Sequence, residues 1–382
     1  MPEQIPLTKE DIIALFKVPE AFLDLDNVRL SHALIVFRQQ KLLARIAYRL
    51  EKTGVLSRLD ERSQRHLKNA KQIATRQNEQ IKFEASELTD TLTQLCEYFV
   101  FLKGAAYSLC GSEVGSGRIF SDIDVLVPKR DIQKCEQRLS IQGWVGQPLN
   151  DYDDRYYRKW AHEIPPMQHS KRGTIIDIHH NIIPLISKAK VNVDALLKYK
   201  VELPDGNAVL SEPAQFVHAS IHLFRNEDYK GSFRDLTDLY LMCEHKSDEF
   251  YFACLDIAER IGLIEEVLFG FRYTDRHLGL NLPDKIIQSI SALPKWRMLY
   301  NDFVFDSVLL PQHNLIPNSD TPFRHTLAML RGHVLKMPLH ILIYHLSVKS
   351  IRGILELIFG EHIFTPKDTN PPFQANQQGN DK

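Results

Sequence analysis

Two aspartates carry the clearest chemical signal in this chain of 382 residues. Asp122 and Asp124 open an apolar stretch that predicts a β-strand, so both carboxylates fall on one face of the strand, a few ångströms apart. Two negative charges that close repel each other unless a cation lies between them. Because carboxylate, water and phosphate oxygens are the usual ligands of Mg²⁺, the pair favours a metal site at the rim of a sheet. Two surface aspartates on an edge strand are the alternative.

A third carboxylate is predicted to reach the same region. Asp177 lies in a stretch of β-branched residues that predicts another strand, on the same face as Ile175 and His179. If this strand neighbours the one that carries the aspartate pair, three acids come together. Three acids are enough to hold two metal ions.

Positive charge and hydrogen-bond donors precede the acids along the chain. An apolar, aromatic run ends at Lys103 and Gly104, where a helix is predicted to begin, so the ammonium and the Gly104 amide are available to phosphate. Arg118 and Ser121 add donors just before the aspartate pair. These four residues are candidates for binding a triphosphate, with an ordinary turn at Lys103 as the alternative.

The order of these motifs resembles the bacterial nucleotidyltransferase-like family of the polymerase-β superfold. The motifs that carry the resemblance are Leu102-Lys103-Gly104, Gly117-Arg118, the stretch from Ser121 to Val127, Gly143-Trp144 and Ile176-Asp177-Ile178-His179. They lie between residues 95 and 181. A weaker match follows in the helical half of the chain, at His218, His222, Arg234, Asp235 and Asp238.

The resemblance implies an α+β fold, in which a small mixed β-sheet forms a nucleotidyltransferase core with flanking helices, between N-terminal and C-terminal helical regions. It also implies transfer of a nucleoside monophosphate from a nucleoside triphosphate, such as ATP, to an acceptor hydroxyl, with Mg²⁺ or Mn²⁺ as cofactor. Carried over to this chain, Asp122 and Asp124 are the paired metal ligands. Asp177 is the third carboxylate and the nearest candidate base, and His179 is its strand partner. The acceptor, whether protein, RNA, sugar or small molecule, stays open.

The chain departs from better-known members of the superfold in the connection before the acids. Those members have a Gly-Ser or Gly-Gly turn with a short connection to the aspartates, whereas Asp122 lies eighteen residues beyond Gly104. His180 stands where an aromatic residue is expected. The longer connection bears on which groups bind phosphate.

Two other functions are compatible with parts of the sequence. A non-catalytic module could keep the fold and bind a protein or a membrane surface, although the intact acids disfavour it. A metal phosphohydrolase could use His179 and His180 with His218 and His222, but no histidine is followed by aspartate, and no glutamate separates the last two as in a zinc-protease helix. We expect His218 and His222 to pack in the core or beside the site. We expect the later polar residues, namely Arg234, Asp235 and Asp238, to pair with one another or to brace two domains.

Composition shifts divide the chain into five predicted parts. They are an N-terminal helical region over 1–95, the core over 96–203, a helical domain over 204–310, a basic apolar helical segment over 311–362 and a disordered tail over 363–382. In the first part, a long helix is predicted over 60–93. The cations that precede it are predicted to form a solvated helix face, namely Arg38, Lys41, Arg45, Arg49 and Lys52.

Charge and cysteine content restrict the class of protein. A net charge of −1 argues against a dedicated nucleic-acid coat protein. Five cysteines without a C-x-x-C pair suit reduced thiols, and no secretory signal or spanning segment is evident, so we expect a cytoplasmic protein. Residues 324–352 contain no acid, which predicts either packing with a solvated rim, or contact with an anionic membrane or another anionic partner. The cations of this segment are Arg324, Arg331, Lys336, Lys349 and Arg352.

Overall fold

The computed structural model describes residues 6–146, 149, 151–317 and 321–359 of the chain. The tail predicted to be disordered, over 363–382, lies outside the described residues. Buried apolar side chains from the N-terminal helices, the sheet and the later helices form one continuous hydrophobic core.

Four helices precede the first strand. They are α1 (Lys9–Lys17), α2 (Asn27–Gln39), α3 (Leu43–Lys52) and α4 (Glu61–Leu92). The Asp60 carboxylate accepts a hydrogen bond from the Ser63 amide at 3.0 Å, which caps the first turn of α4. The long helix predicted over 60–93 is therefore confirmed, and it packs against α3.

Seven strands in the described part of the chain form one sheet. They are β1 (Val100–Phe101), β2 (Ile123–Leu126), β3 (Trp144–Gly146), β4 (Met167–His169), β5 (Ile175–His179), β6 (Lys200–Glu202) and β7 (Ala208–Leu210), in the order β3-β4-β5-β2-β1-β7-β6. β2 runs parallel to β5 and antiparallel to β1, so the sheet is mixed. The predicted α+β class, with a mixed sheet and flanking helices, is confirmed.

The pairing of β2 with β5 brings two of the predicted acids together. Asp124 lies opposite Asp177, between the pairs formed by Ile123 with Ile176 and by Val125 with Ile178. These four apolar residues are buried, which fixes the register of the two strands. The expectation that the two strands are neighbours is therefore correct.

The sheet continues beyond residue 203, where the core was predicted to end. β7 is buried and pairs with β1 through Val209 and Phe101, so the turn around Gly206 joins β6 and β7 instead of opening the helical region. Strands of three residues carry little periodic signal, which is why the sequence does not reveal this hairpin.

Helices cover the sheet and form the rest of the molecule. Those between strands are α5 (Lys103–Leu109), α6 (Ile132–Ile141), α7 (Asp151–Lys159) and α8 (Val193–Leu197). Those after the sheet are α9 (Glu212–Arg225), α10 (Ser232–Cys243), α11 (Asp248–Ile261), α12 (Ile264–Leu278), α13 (Asp284–Ser291), α14 (Lys295–Val308), α15 (Pro322–Lys336) and α16 (Leu339–Phe359). The last two flank Pro338.

Two of the five cations predicted for the basic segment turn inward. Arg331 lies over the Phe305 ring, 5.1 Å from its centroid, and donates a hydrogen bond to the Phe224 carbonyl. Lys336 pairs with Glu227. α15 packs on α9, and these two cations of α15 contribute to the packing because their partners lie in α9 or shortly after it. Every helix within the described ranges is too short or too polar to cross a membrane.

Candidate functional site

The three predicted acids lie in the middle of the sheet, beside two cavities. Asp122 precedes β2 and is partly exposed, whereas Asp124 is only 3% exposed. Both line a first cavity of about 170 Å³. Asp177 lies beside Asp124 but lines a second cavity of about 220 Å³. Lys103 and His222 belong to the walls of both cavities, so the two spaces meet at these side chains.

Asp124 is held by two basic partners. Lys103 Nζ lies 2.6 Å and His179 Nε2 lies 2.9 Å from Asp124 Oδ1. Burial alone would raise the pKa of the Asp124 carboxyl, but the charge of Lys103 and the hydrogen bond from His179 outweigh burial and hold that pKa well below its usual range. Asp124 is therefore ionised near neutral pH. Both contacts use Oδ1, and Oδ2 takes part in neither.

Asp177 has the opposite electrostatics. Its Oδ1 is buried and has no hydrogen-bond partner among the described residues. Burial, reinforced by the charges of Asp124 and Asp122, raises the pKa of Asp177 to about 7. Because most buried carboxylate oxygens are hydrogen-bonded, an unpartnered one that lines a cavity indicates a place for a ligand.

Lys103 and Gly104 open α5, as predicted, beside the first cavity. The ammonium of Lys103 is already paired with Asp124, and although burial would lower the pKa of Lys103, this carboxylate raises it. Gly104 is buried against Phe120, because a Cβ at Gly104 would lie 2.7 Å from the Phe120 ring. The glycine thus allows close packing of the loop that leads to the acids.

Arg118 and Ser121 also line the first cavity, but in different states. Ser121 is exposed and its hydroxyl donates to Asp122 Oδ1 at 3.0 Å. Arg118 is only 9% exposed, and its Nη2 lies 3.1 Å from Asp238 and 3.5 Å from Asp235. The predicted donor Arg118 is therefore committed to carboxylates of α10, while Ser121 stays accessible.

A buried ion-pair network joins the N-terminal helices to the site. Arg45 of α3 is 2% exposed, and its Nη1 lies 2.8 Å from Asp238, which also binds Arg118. Gly117 makes this approach possible, since its φ is 70° and a Cβ would lie 2.5 Å from the Arg45 amide nitrogen. The prediction of a solvated face is therefore wrong for Arg45.

The histidines of α9 lie where expected, beside the acids. His218 is buried, and burial together with the charge of Lys103 lowers the pKa of His218 to about 3. The charge of Lys103, followed by burial, lowers the pKa of His222 well below its usual range. Both imidazoles are therefore neutral at pH 7 and add no charge to the cavities. The expected pairing of α10 residues is also present, since Arg234 Nη2 lies 2.8 Å from Asp235.

Sequence reasoning missed a further acid, Glu163. Its Oε2 lies 3.2 Å from His179 Nδ1, and the residue lines the second cavity with His162. An isolated β-bridge between Glu163 and His179 fixes this contact. The only hint in the sequence is the dipeptide His162-Glu163 shortly before a strand, which has no recognisable spacing to the other acids.

The acids are chemically suited to a hard divalent cation. Carboxylate oxygens of Asp122 and Asp124 line one cavity, and the unpartnered oxygen of Asp177 lies on the neighbouring strand. An all-oxygen donor set of this kind matches the preference of Mg²⁺ and also suits Mn²⁺. The residues present therefore fit the implied metal.

Comparison with known protein families gives a match. A family model described as "Uncharacterised nucleotidyltransferase" matches residues 26–279, which is about two thirds of the chain. No curated protein matches the chain. The matched residues run from the start of α2 to the end of α12, so they include the sheet, the acids and the Arg45 network. The chain therefore belongs to this uncharacterised nucleotidyltransferase family.

Proposed function

We propose that the protein is a metal-dependent nucleotidyltransferase that moves a nucleoside monophosphate from a nucleoside triphosphate to an acceptor hydroxyl. The observation that supports this most directly is the pairing of Asp124 with Asp177 on adjacent parallel strands, with Asp122 at the entrance to the same strand. On the same ground we propose that the sheet is a polymerase-β core. Because all five cysteines are free thiols, we also propose that the protein works in the cytoplasm.

The first cavity is the proposed nucleotide site. Asp122 and Asp124 would hold Mg²⁺ or Mn²⁺ there, with Asp177 as a further ligand. Bound at these oxygens, the metal would neutralise phosphate charge and favour ionisation of the acceptor hydroxyl. Lys103 supplies an ammonium at the cavity wall, and the exposed Ser121 hydroxyl supplies a donor at its mouth.

The second cavity is the proposed route of the acceptor. Asp177 lines it, and its Oδ1, which has no hydrogen-bond partner among the described residues, is available to accept a proton from a hydroxyl. The acceptor oxygen then forms a bond to the α-phosphorus, the bond between that phosphorus and the bridging oxygen breaks, and pyrophosphate leaves. The proton of the hydroxyl remains on Asp177 until it passes to solvent.

Binding and transfer can be tested together on the full chain. The purified protein is incubated with Mg²⁺ and each α-labelled nucleoside triphosphate, alone and with cell extract, and triphosphate binding is measured in parallel by calorimetry. Asp122→Asn should abolish Mg²⁺-dependent binding and labelling, because Asp122 is a proposed metal ligand and has no ion pair with any described residue that the substitution would break. The matched control is Asp24→Asn, at an exposed aspartate that lies outside both cavities.

The recipient of the label, protein, RNA, sugar or small molecule, identifies the acceptor class. If the wild-type protein binds no triphosphate in the presence of either metal, the transferase proposal fails, and the alternative of an inactive adaptor with this fold takes its place. If Asp122→Asn binds as well as wild type, the assignment of the metal ligands is wrong.

We also propose a peripheral contact with an anionic membrane through the C-terminal helices. Trp296, Leu299, Tyr300 and Phe303 recur at helical spacing along α14 and are each at least 39% exposed. Phe323 of α15 lies next to Phe303, with the two ring centroids 6.4 Å apart, and it is 65% exposed. Leu339 and Ile343 of α16 are 63% and 58% exposed. These seven exposed side chains are together called the apolar face below. Apolar side chains next to a segment without acids suit the surface of a membrane, where the side chains can enter the hydrocarbon layer and the cations can contact anionic headgroups.

A further inference from the structure

Three side chains beside the second cavity form a cluster that the proposed transfer reaction does not use. They are His162, Glu163 and His179, and each offers a ligand atom within 4.8 Å of the others. His179 Nδ1 lies 3.2 Å and His162 Nε2 lies 4.0 Å from Glu163 Oε2. Two imidazoles and one carboxylate are a common donor set for Zn²⁺ and related transition metals.

The partner of His179 on its other side supports this assignment. His179 Nε2 lies 2.9 Å from Asp124 Oδ1, which leaves Nδ1 on the side of Glu163. In proteins, a histidine that binds a metal through one ring nitrogen usually donates the other N–H to a carboxylate or carbonyl, which fixes the ring and its tautomer. Asp124, His179 and the cluster have this arrangement.

His162 has two ring nitrogens without a hydrogen-bond partner among the described residues. Its Nε2 faces Glu163 Oε2 but lies 4.0 Å from it, too far for a hydrogen bond, and its Nδ1 is buried and unpartnered, although the side chain lines a cavity. Buried polar atoms without a partner are rare in folded proteins. The His162 and His179 rings lie 5.3 Å apart between centroids, so small side-chain movements bring both to one ion.

The cations around the second cavity do not oppose a metal ion there. Arg225 Nη1 lies 2.6 Å from Glu266, Lys336 is paired with Glu227, and Lys103 is paired with Asp124. Each positive charge that lines this cavity is therefore balanced by its own carboxylate. Glu163 has no lysine or arginine partner in the described part of the chain, only the histidines.

We infer that His162, Glu163 and His179 form a binding site for a single transition-metal ion of the Zn²⁺ class, distinct from the oxygen-rich site of the aspartates. Three protein ligands leave a coordination position for water or a solute from the second cavity. Binding of this ion does not depend on the proposed transferase function. The role of the ion does depend on that function, since an acceptor that enters the second cavity would meet the ion next to Asp177.

The test uses Co²⁺ alone as the probe, on the full chain without a histidine tag and in the presence of excess Mg²⁺. We expect one Co²⁺ per chain, with visible absorption bands typical of four ligands, and displacement by Zn²⁺ but not by Mg²⁺. His162→Ala and Glu163→Gln should each weaken Co²⁺ binding at least tenfold. The matched control is His180→Ala, at the next residue after His179 but outside the cluster, which should bind Co²⁺ as wild type does.

A further variant separates this site from the proposed transferase site. Asp122→Asn should keep Co²⁺ binding while losing Mg²⁺-dependent triphosphate binding, so each proposal can fail alone. The inference is overturned if no visible bands appear, or if folded His162→Ala, checked by circular dichroism, binds Co²⁺ with wild-type affinity. Loss of the bands in Asp122→Asn but not in His162→Ala would also overturn it, because the ion would then lie on the aspartates.

Discussion

Lys103 combines an ion pair with an unusual backbone conformation. Its φ is 49°, in the left-handed region that residues with a Cβ rarely adopt. In the described part of the chain, Lys41 and His245 share this property. Glycine would adopt the same backbone more easily, so the side chain of Lys103 is retained at a cost in conformational energy of about 1 kcal/mol. Its contact with the buried Asp124 explains why a lysine occupies the position.

Two substitutions at Lys103 should separate the side-chain effect from the backbone effect. Lys103→Ala and Lys103→Gly both remove the ammonium, so both should weaken triphosphate affinity in Mg²⁺ about tenfold or more. The alanine variant keeps a Cβ at positive φ, so its free energy of unfolding should be about 1 kcal/mol below that of the glycine variant. Calorimetry and urea unfolding measure the two quantities.

Lys41 provides the control for Lys103, because it is exposed, has a φ of 56° and lies outside both cavities. Lys41→Gly and Lys41→Ala should show the same difference in stability and no change in triphosphate affinity. Equal affinity of Lys103→Ala and wild type would remove Lys103 from the proposed phosphate site.

At the scale of single residues, the sequence predicts identities better than partners. The spacing of Asp122 and Asp124 and the β-branched surroundings of Asp177 are visible in the sequence, and the structure brings all three together. The spacing also suggests that the paired acids repel each other. The structure shows instead that Lys103 and His179 balance the charge of Asp124. These two residues lie 21 and 55 positions away from Asp124 along the chain, and no pattern in the sequence predicts contacts over such separations.

At the scale of elements, three segments meet in one buried network. α3 contributes Arg45, the loop before β2 contributes Arg118 and α10 contributes Asp238, whose carboxylate binds both arginines. All three side chains are at most 9% exposed. The Asp238 carboxylate therefore balances two buried guanidinium groups, and removing its charge leaves both without their main counter-charge.

Asp238→Asn should destabilise the fold strongly. We expect the free energy of unfolding to fall by about 3 to 5 kcal/mol, the usual result of breaking a buried ion pair from one side. The double variant Arg45→Met with Asp238→Leu should lose less than the sum of the single variants, because each removes the same interaction. Denaturant unfolding measures all of these values.

An exposed ion pair serves as the comparison for the buried network. Asp154→Asn breaks the pair with Arg158, whose side chains are 46% and 44% exposed, and should change stability by less than about 1 kcal/mol. A loss of similar size for Asp238→Asn would mean that the network contributes little to holding α3 and α10 on the site.

The elements themselves follow from the sequence to different degrees. The sequence predicts a long helix over 60–93, close to the bounds of α4, and it predicts β2 and β5 from their apolar runs. β3, β4, β6 and β7 have three residues each, too few for a periodic signal, and are held by pairing with neighbouring strands. Arg45 was assigned to solvent because helical periodicity cannot distinguish a solvated face from one covered by another segment.

At the scale of the whole molecule, the apolar face provides a test of membrane contact. The full chain should co-sediment with vesicles that contain an anionic phospholipid at low salt and be released in part at high salt, because charge attraction weakens as salt rises. Replacing Leu299, Leu339 and Ile343 by glutamine should abolish sedimentation. Replacing Ile141 and Val145, which are 79% and 58% exposed on another part of the surface, should leave it unchanged.

Substitution is preferable to truncation for this experiment. Gly332 lies against the backbone of Asn226, where a Cβ would be 2.3 Å from the carbonyl oxygen, and Arg331 packs on Phe305. Removing α15 and α16 would therefore uncover α9 in addition to removing part of the apolar face. Sedimentation of the glutamine variant at the wild-type level would assign the face to another partner or to assembly of the protein with itself.

If the protein has the proposed function, Lys103 also has a consequence for the order in which its two substrates bind. Because its ammonium stands between the two cavities and is held by Asp124, a nucleotide that draws this carboxylate toward a metal ion would loosen the ammonium and alter the charge that the acceptor meets. The two substrates then cannot arrive independently. Binding would then be ordered, with the nucleotide first. The protein would have a low affinity for the acceptor until the nucleotide is bound.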